Sequence, residues 1–218
     1  MINELKKETE RLLNEFADAV RLPDDHYTHM KYPKLIPLMD FYVDRYKLKD
    51  FGHLMIMHTK TRMGMELLTM SFMPDGICLP YLLIDAMTMK NKRCVFVEYY
   101  GCGYEKLAED RLIDVHEKYE DLPDYEEKPN WYIRERRPYS LIKSGTETQL
   151  LDMTRDSIEA YLVLIKEAEH DPAYNKKLLA FRQRMIEEGN PSSKTLEMLL
   201  KKDGAVAFMK DAVMPLHE

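Results

Sequence analysis

Only three cysteines occur in the 218 residues, Cys78, Cys94 and Cys102, and no two of them stand at Cys-x-x-Cys spacing. An odd count without that spacing argues against a disulfide framework or a structural zinc site and points to reduced, packed thiols. Long apolar runs are missing too: none approaches the roughly 20 residues that span a bilayer. The N-terminal stretch MINELKKETERLLNEF is charged throughout, unlike a secretory leader, so a cytoplasmic protein is expected. Positive charge is in deficit. A formal net charge of −6 argues against general nucleic-acid binding, and any acidic partner has to find a local basic patch. No GxGxxG, Walker-type GxxxxGK, HExxH or GxSxG motif occurs. The seven histidines are scattered; His26 and His29 have the spacing of a metal pair on a helix but sit near prolines in a segment expected to be loop. An enzyme with this inventory leaves much of the chemistry to its substrate.

What is present is ordinary for a folded chain: 45% hydrophobic and 32% charged residues, enough for one substantial domain over 1–218. Sixteen methionines stand out. They suit an adaptable core and equally a pliable wall around a large flat ligand. Residues 2–20 carry apolar side chains at helical spacing, with Pro23 and Asp24 ending the helix. The segment 24–38, with Pro33 and Pro37, is expected to be loop with at most a short strand or turn. From 51 to 100 the runs HLMIMHTKT, GMELLTMSFMP, LPYLLIDAMTM and RCVFVEYYG have strand length and are separated by RMG, PDG and KNK. Such short connections favour antiparallel pairing. The pattern predicts a four-stranded meander, extended by one or two strands near 40–50.

Beyond residue 103 the periodicity turns helical, over 104–122, 147–170 and 172–189, with 123–145 loop-like between the first two. A further helix opens at Ser192 or Ser193 and closes at Gly204, and a short last helix follows over 205–214. Helix, strands, then helices is the order of an α+β fold: an α/β/α sandwich with a central antiparallel β-sheet flanked by helices.

Asp85 breaks this regularity. It lies inside the apolar run LPYLLIDAMTM, where an ionised carboxylate is costly to bury. From the residues alone it is either an acid at a strand edge, bonded or solvated, or an acid placed in a pocket for use.

Three stretches resemble the ferredoxin-dependent bilin reductases. FMPDGICLPYLLIDAM places an acid, Asp85, five positions after Pro80, like that family's strand–turn–strand element. PNWYIRERRPYSLIK has Trp131 with a basic residue, Lys143, twelve positions on. LLAFRQRMIEEGNPSSKTLEMLLKKDG and FMKDAVM are similar to the family's C-terminal helix, Asn- or Asp-containing loop, helix, Gly and closing short helix. The resemblance implies an α/β/α sandwich holding biliverdin between the sheet and the C-terminal helices. It also implies no resident cofactor, and reduced ferredoxin as the donor of single electrons in a radical mechanism. Asp85 then supplies protons, its affinity for them raised by burial.

The departures from the family pattern bear on the product. Aligning on FMP sets Thr69 where members making phycocyanobilin have a histidine, and their glutamate falls near Met57, beside His58. Asn190 occupies the loop position where other members have an aspartate, and an amide donates a proton poorly. Reduction of biliverdin at the C15 methine is therefore expected, with onward reduction to phycoerythrobilin left open. His58 is a candidate second proton source if its strand face turns inward, but by strand alternation only one of Met57 and His58 can line the pocket. For the substrate's propionates Lys143 is the first candidate, with Arg93 and Lys194 behind it. Lys90, Lys92, Arg93 and Arg134–Arg137 are expected to form a basic rim for ferredoxin. A monomer without nucleic-acid or membrane partners is expected, and a non-catalytic tetrapyrrole carrier on the same fold is the alternative.

Overall fold

The computed structural model describes residues 1–33, 37–90, 92–190 and 192–216. Residues 34–36 of the expected 24–38 loop, Asn91 of the KNK turn, Pro191 beside Asn190, and His217 lie outside the described residues. Helix α1 (Ile2–Phe16) leads into strands β1 (Ala19–Arg21), β2 (His29–Tyr32), β3 (Met39–Leu48), β4 (Gly52–Thr61), β5 (Met65–Pro74), β6 (Tyr81–Met89) and β7 (Lys92–Tyr100). Helix α2 (Asp110–Tyr119), a 3₁₀ turn (Trp131–Glu135), strand β8 (Leu141–Ser144) and helices α3 (Glu147–Leu164), α4 (Pro172–Glu187) and α5 (Ser193–Phe208) follow. A π-helical turn, Met209–Val213, comes last. The strands form one antiparallel sheet in the order β1-β3-β4-β5-β6-β7-β8, with β2 also paired to β3.

Alternation along the central strands builds two cores of different chemistry. Leu54 and Ile56, Leu68, Met70 and Phe72, Leu82, Ile84 and Ala86, and Val95 and Val97 all point to one side. There they meet Leu5 and Leu12 of α1, Leu112 of α2 and Leu150, Met153 and Ile158 of α3. The intervening residues point to the other side, towards Leu178, Phe181 and Met185 of α4, Leu196 and Phe208 of α5, and Met209 and Val213 of the last turn. This second face includes Met55 and Met57, but also Thr69, Ser71 and Glu98, which are buried. A face carrying polar groups in the middle of a sheet has to satisfy them or expose them to a cavity.

The expected meander is present over β4–β7, with β3 covering the expected 40–50 extension. The first helix is shorter than its periodicity suggested, since residues 19–21 pair with β3 instead. Residues 123–145 are less irregular than expected: β8 pairs with β7 from Leu141 to Ser144. Helix α5 is not stopped at Gly204. Its break lies at Lys201 (φ 62°, ψ 173°), and the chain resumes a helical path through Phe208. One glycine is sterically required: at Gly52 (φ 144°) an added Cβ would stand 2.3 Å from the Met73 carbonyl oxygen. All three cysteines are free and buried. No helix among the described residues is long and apolar enough to cross a membrane.

Candidate functional site

Asp85 leaves the middle of β6 on the polar second face, paired in register with Thr69 of β5 and Phe96 of β7. It stands where two cavities adjoin. The smaller runs between Met55, Tyr81, Leu83 and the α4–α5 side chains Met185, Asn190 and Phe208. The larger continues past Met39, Met65, Met87 and Phe96 to Glu98 and Arg136. Met57, Ser192 and Leu196 line both, so the two form one continuous cleft along the sheet.

The Thr69 hydroxyl donates to Asp85 Oδ1 at 2.5 Å. Burial pushes the Asp85 carboxyl up to about 6; the Thr69 bond and the more distant Arg136 charge pull the other way. The acid is thus poised to hold a proton close to neutral pH while facing open space.

The loop carrying Asn190 is fixed by local chemistry. Gly189 takes φ 92° just past the end of α4, a left-handed turn that glycine allows at little cost. Its carbonyl accepts a 2.8 Å hydrogen bond from Trp131 Nε1, and the Arg184 guanidinium lies 4.2 Å from the Trp131 ring centroid. Asn190 Oδ1 accepts from the Ser192 amide at 2.9 Å, and its Nδ2 donates to the Met185 carbonyl at 3.2 Å. The amide lines the smaller cavity while both its ends hold the loop in place.

Asp85, Thr69, Met57 and Asn190 are brought together. The other expected site residues are not. His58 shares the face of Leu54 and Ile56, on the α1–α3 side, where its Nε2 lies 3.1 Å from Glu66 Oε2; burial lowers its affinity for a proton. Met57, not His58, therefore lines the pocket. Lys143 is opposite Val95 in register and shares the first face with it. Its buried Nζ donates to the Glu120 carbonyl and to Asp124 Oδ1, at 2.6 and 2.7 Å, and tethers the end of α2 rather than a ligand. Arg93 lies on that face as well, with Nε 3.5 Å from Glu147 Oε2. Lys194 is exposed on α5 and is absent from both cavity walls.

The expected basic rim does not assemble. Lys92 and Tyr100 are the two ends of β7, about 26 Å apart at a rise of about 3.3 Å per residue, and Arg136 bridges to Tyr100. Lys90 and Lys92 are thereby separated from the arginine cluster. Within that cluster Arg136 pairs with Glu98 and Glu127, and Arg137 with Glu109, leaving Arg134 exposed.

Glu98 and Arg136 are cavity residues that the sequence reading overlooked. Glu98 shares the parity of Phe96 on β7 and is 1% exposed, with an ion pair to Arg136 and a 2.8 Å hydrogen bond from the Tyr100 hydroxyl. Its signal was available: VFVEYY is an apolar strand interrupted by an acid, as LLIDAM is. Arg136 gave no such signal, because RERR looks like a solvated charge cluster. Among the described residues no group of three or more His, Cys, Asp or Glu side chains is arranged to hold a metal ion.

An antiparallel sheet between two helical layers defines the class of fold. Among solved structures it is shared by phytochromobilin synthase from tomato, crystallised as the selenomethionine protein in complex with biliverdin. The TM-score is 0.80 at 14% sequence identity, over 97% of this chain and 82% of that one. No family model matches the sequence, and no curated protein matches it.

Proposed function

We propose that this chain binds a linear tetrapyrrole of the biliverdin type between the second face of the sheet and helices α4 and α5, and reduces it. A one-electron donor of the ferredoxin class supplies electrons, and Asp85 supplies a proton. The observation that carries this reading is the Asp85 carboxyl, protonatable near pH 6 and set at the meeting point of two apolar cavities. A binding site alone has no need of a half-buried acid in an apolar cleft, which costs stability whenever it ionises. Reduction adds electrons to a conjugated system and makes it basic, so an acid held against it is the group the chemistry requires. The biliverdin bound to the tomato protein of the same fold supports the choice of ligand class. Methionine side chains from β3, β4, β5 and β6 offer a polarizable wall to a flat chromophore. Thr69, Met57 and Asn190 are its proposed contacts. The C15 methine is the proposed site of reduction, with onward reduction to phycoerythrobilin as the second stage.

The test is spectroscopic. Biliverdin added to the protein should shift and sharpen its absorbance. Reduced ferredoxin, supplied with its reductase and NADPH without oxygen, should then replace that band with one at shorter wavelength. Asp85→Asn should bind biliverdin and turn it over at least about 100-fold more slowly, the usual scale of a lost general acid. A complex that forms but stays unchanged on reduction would identify a carrier instead, and undiminished turnover in Asp85→Asn would remove the assigned role.

A further inference from the structure

Reduction of one double bond takes two electrons and two protons, and Asp85 holds one proton. The sequence suggested His58 and Asn190 as further participants. His58 faces the opposite core and Asn190 is an amide whose two ends are already committed. We propose that Glu98 is the second proton donor of this pocket and that Arg136 governs when it is charged; this rests on the bilin-reductase reading above.

The placement is geometric. Asp85 is opposite Phe96, and Glu98 is two residues further along β7 on the same face. That makes the two acids diagonal neighbours, with Cα atoms about 7–8 Å apart, within the span of one ligand. Glu98 lines the larger cavity with Asp85 although almost none of its surface is exposed. The charged and titratable groups facing it are Tyr132 from the 3₁₀ turn and Arg136 just after it, Tyr100 from its own strand, Asp85 from β6, and Glu127 from the preceding loop. Arg136 is anchored by its backbone bridge to Tyr100 and by two bonds to Glu127, at 2.5 and 2.8 Å. Its Nε is buried without a hydrogen-bond partner. The Arg136 side chain lines the cavity, and an acceptor group of a ligand placed against its guanidinium draws that charge away from Glu98. Burial pushes Glu98 up to about 7 against the pull of Arg136, and the Asp85 charge adds to the rise. Weakening the Arg136 pair raises its proton affinity further, so the ligand itself favours the protonated acid.

The first electron from the ferredoxin-class donor forms a bilin radical anion. The Asp85 O–H bond breaks, and its proton forms a new bond to the ligand, giving a neutral radical. The second electron is followed by cleavage of the Glu98 O–H bond and transfer of that proton to the remaining reduced centre. The bilin gains two hydrogens, two donor molecules are oxidised, and both carboxylates take up protons from water.

The experiment compares wild type, Asp85→Asn, Glu98→Gln and Glu98→Asp, each as the full chain with biliverdin and photoreduced ferredoxin under anaerobic conditions. Glu98→Gln should keep biliverdin affinity within about threefold. It should accumulate a neutral-radical signal in electron paramagnetic resonance and form product about 100-fold more slowly. Asp85→Asn should halt one stage earlier, at the unprotonated radical. Glu98→Asp should restore part of the rate with a displaced alkaline limb in its pH profile. Wild-type rate, no trapped radical and an unchanged pH profile in Glu98→Gln would overturn the inference. If Glu98→Gln fails to fold, an unaltered pH profile in Glu98→Asp overturns it equally. Failure of the wild type to change biliverdin defeats the underlying reading as well, whereas wild-type turnover with an indifferent Glu98 defeats this inference alone.

Discussion

With its carboxyl held near 6, Asp85 changes charge within the range where proteins are usually handled. Its folded value lies above the unfolded one, so the native state binds the proton more tightly. That contribution to stability is complete below about pH 4 and is lost as pH rises through about 6. The displacement is worth about 3 kcal/mol, less whatever water in the cavity screens. Asp85→Asn should therefore flatten the fall in unfolding free energy between pH 4 and 7 and leave the protein more stable at pH 8; urea titrations across that range measure it. Thr69→Val removes the hydrogen bond that favours the carboxylate, so the alkaline limb of the activity profile should move to higher pH. Lys143 gives the opposite kind of expectation. It holds Asp124 and the end of α2 from the far side of the sheet, so Lys143→Gln should lower the melting temperature while biliverdin affinity, followed by absorbance, stays the same. Asp85 was legible because an acid inside an apolar run has to be explained. Glu98 carried the same mark and was missed beside the aromatic pair Tyr99 and Tyr100.

At the scale of elements, the site depends on how α4 ends. Gly189 holds a positive φ, its carbonyl takes the Trp131 indole proton, and Asn190 follows immediately. Gly189→Ala should cost about 1–2 kcal/mol from the left-handed backbone, seen as a melting temperature lower by a few degrees. It should also weaken biliverdin binding, because the loop closing the smaller cavity is displaced. The central strands and C-terminal helices were legible from period and turn residues. β8 was not: LIKS is four residues long and follows two prolines and a charge cluster, and only its register with β7 identifies it. Without β8 there was no strand parity to orient Lys143, so family spacing alone assigned it to the ligand. His58 could be oriented relative to Met57 from sequence, but which of the two faced the cleft awaited the position of the helices.

For the whole molecule, the two sides of the sheet divide the work. The α1–α3 side is built mostly of aliphatic side chains with a few aromatic rings, packed around α3. The α4–α5 side carries Asp85, Glu98, most of the buried methionines and both parts of the cleft. Substitutions that open a cavity in the first core, such as Leu82→Ala, should cost about 2–5 kcal/mol and leave bound-bilin spectra unaltered at temperatures where the variant stays folded. A comparable truncation of Met57 should change the spectrum with a smaller loss of stability. Calorimetry and absorbance on the same samples separate the two effects.

Because neighbouring residues of β6 and β7 face opposite sides, a frame error in either strand has no mild form. Deleting one residue between Pro80 and Asp85 without repair at the next turn would drive the carboxylate into hydrocarbon and set Ala86 in its place at the cleft. The spacing from Pro80 to Asp85 thus couples the packing of the strand to the presence of an acid in the cleft, and neither can drift without the other.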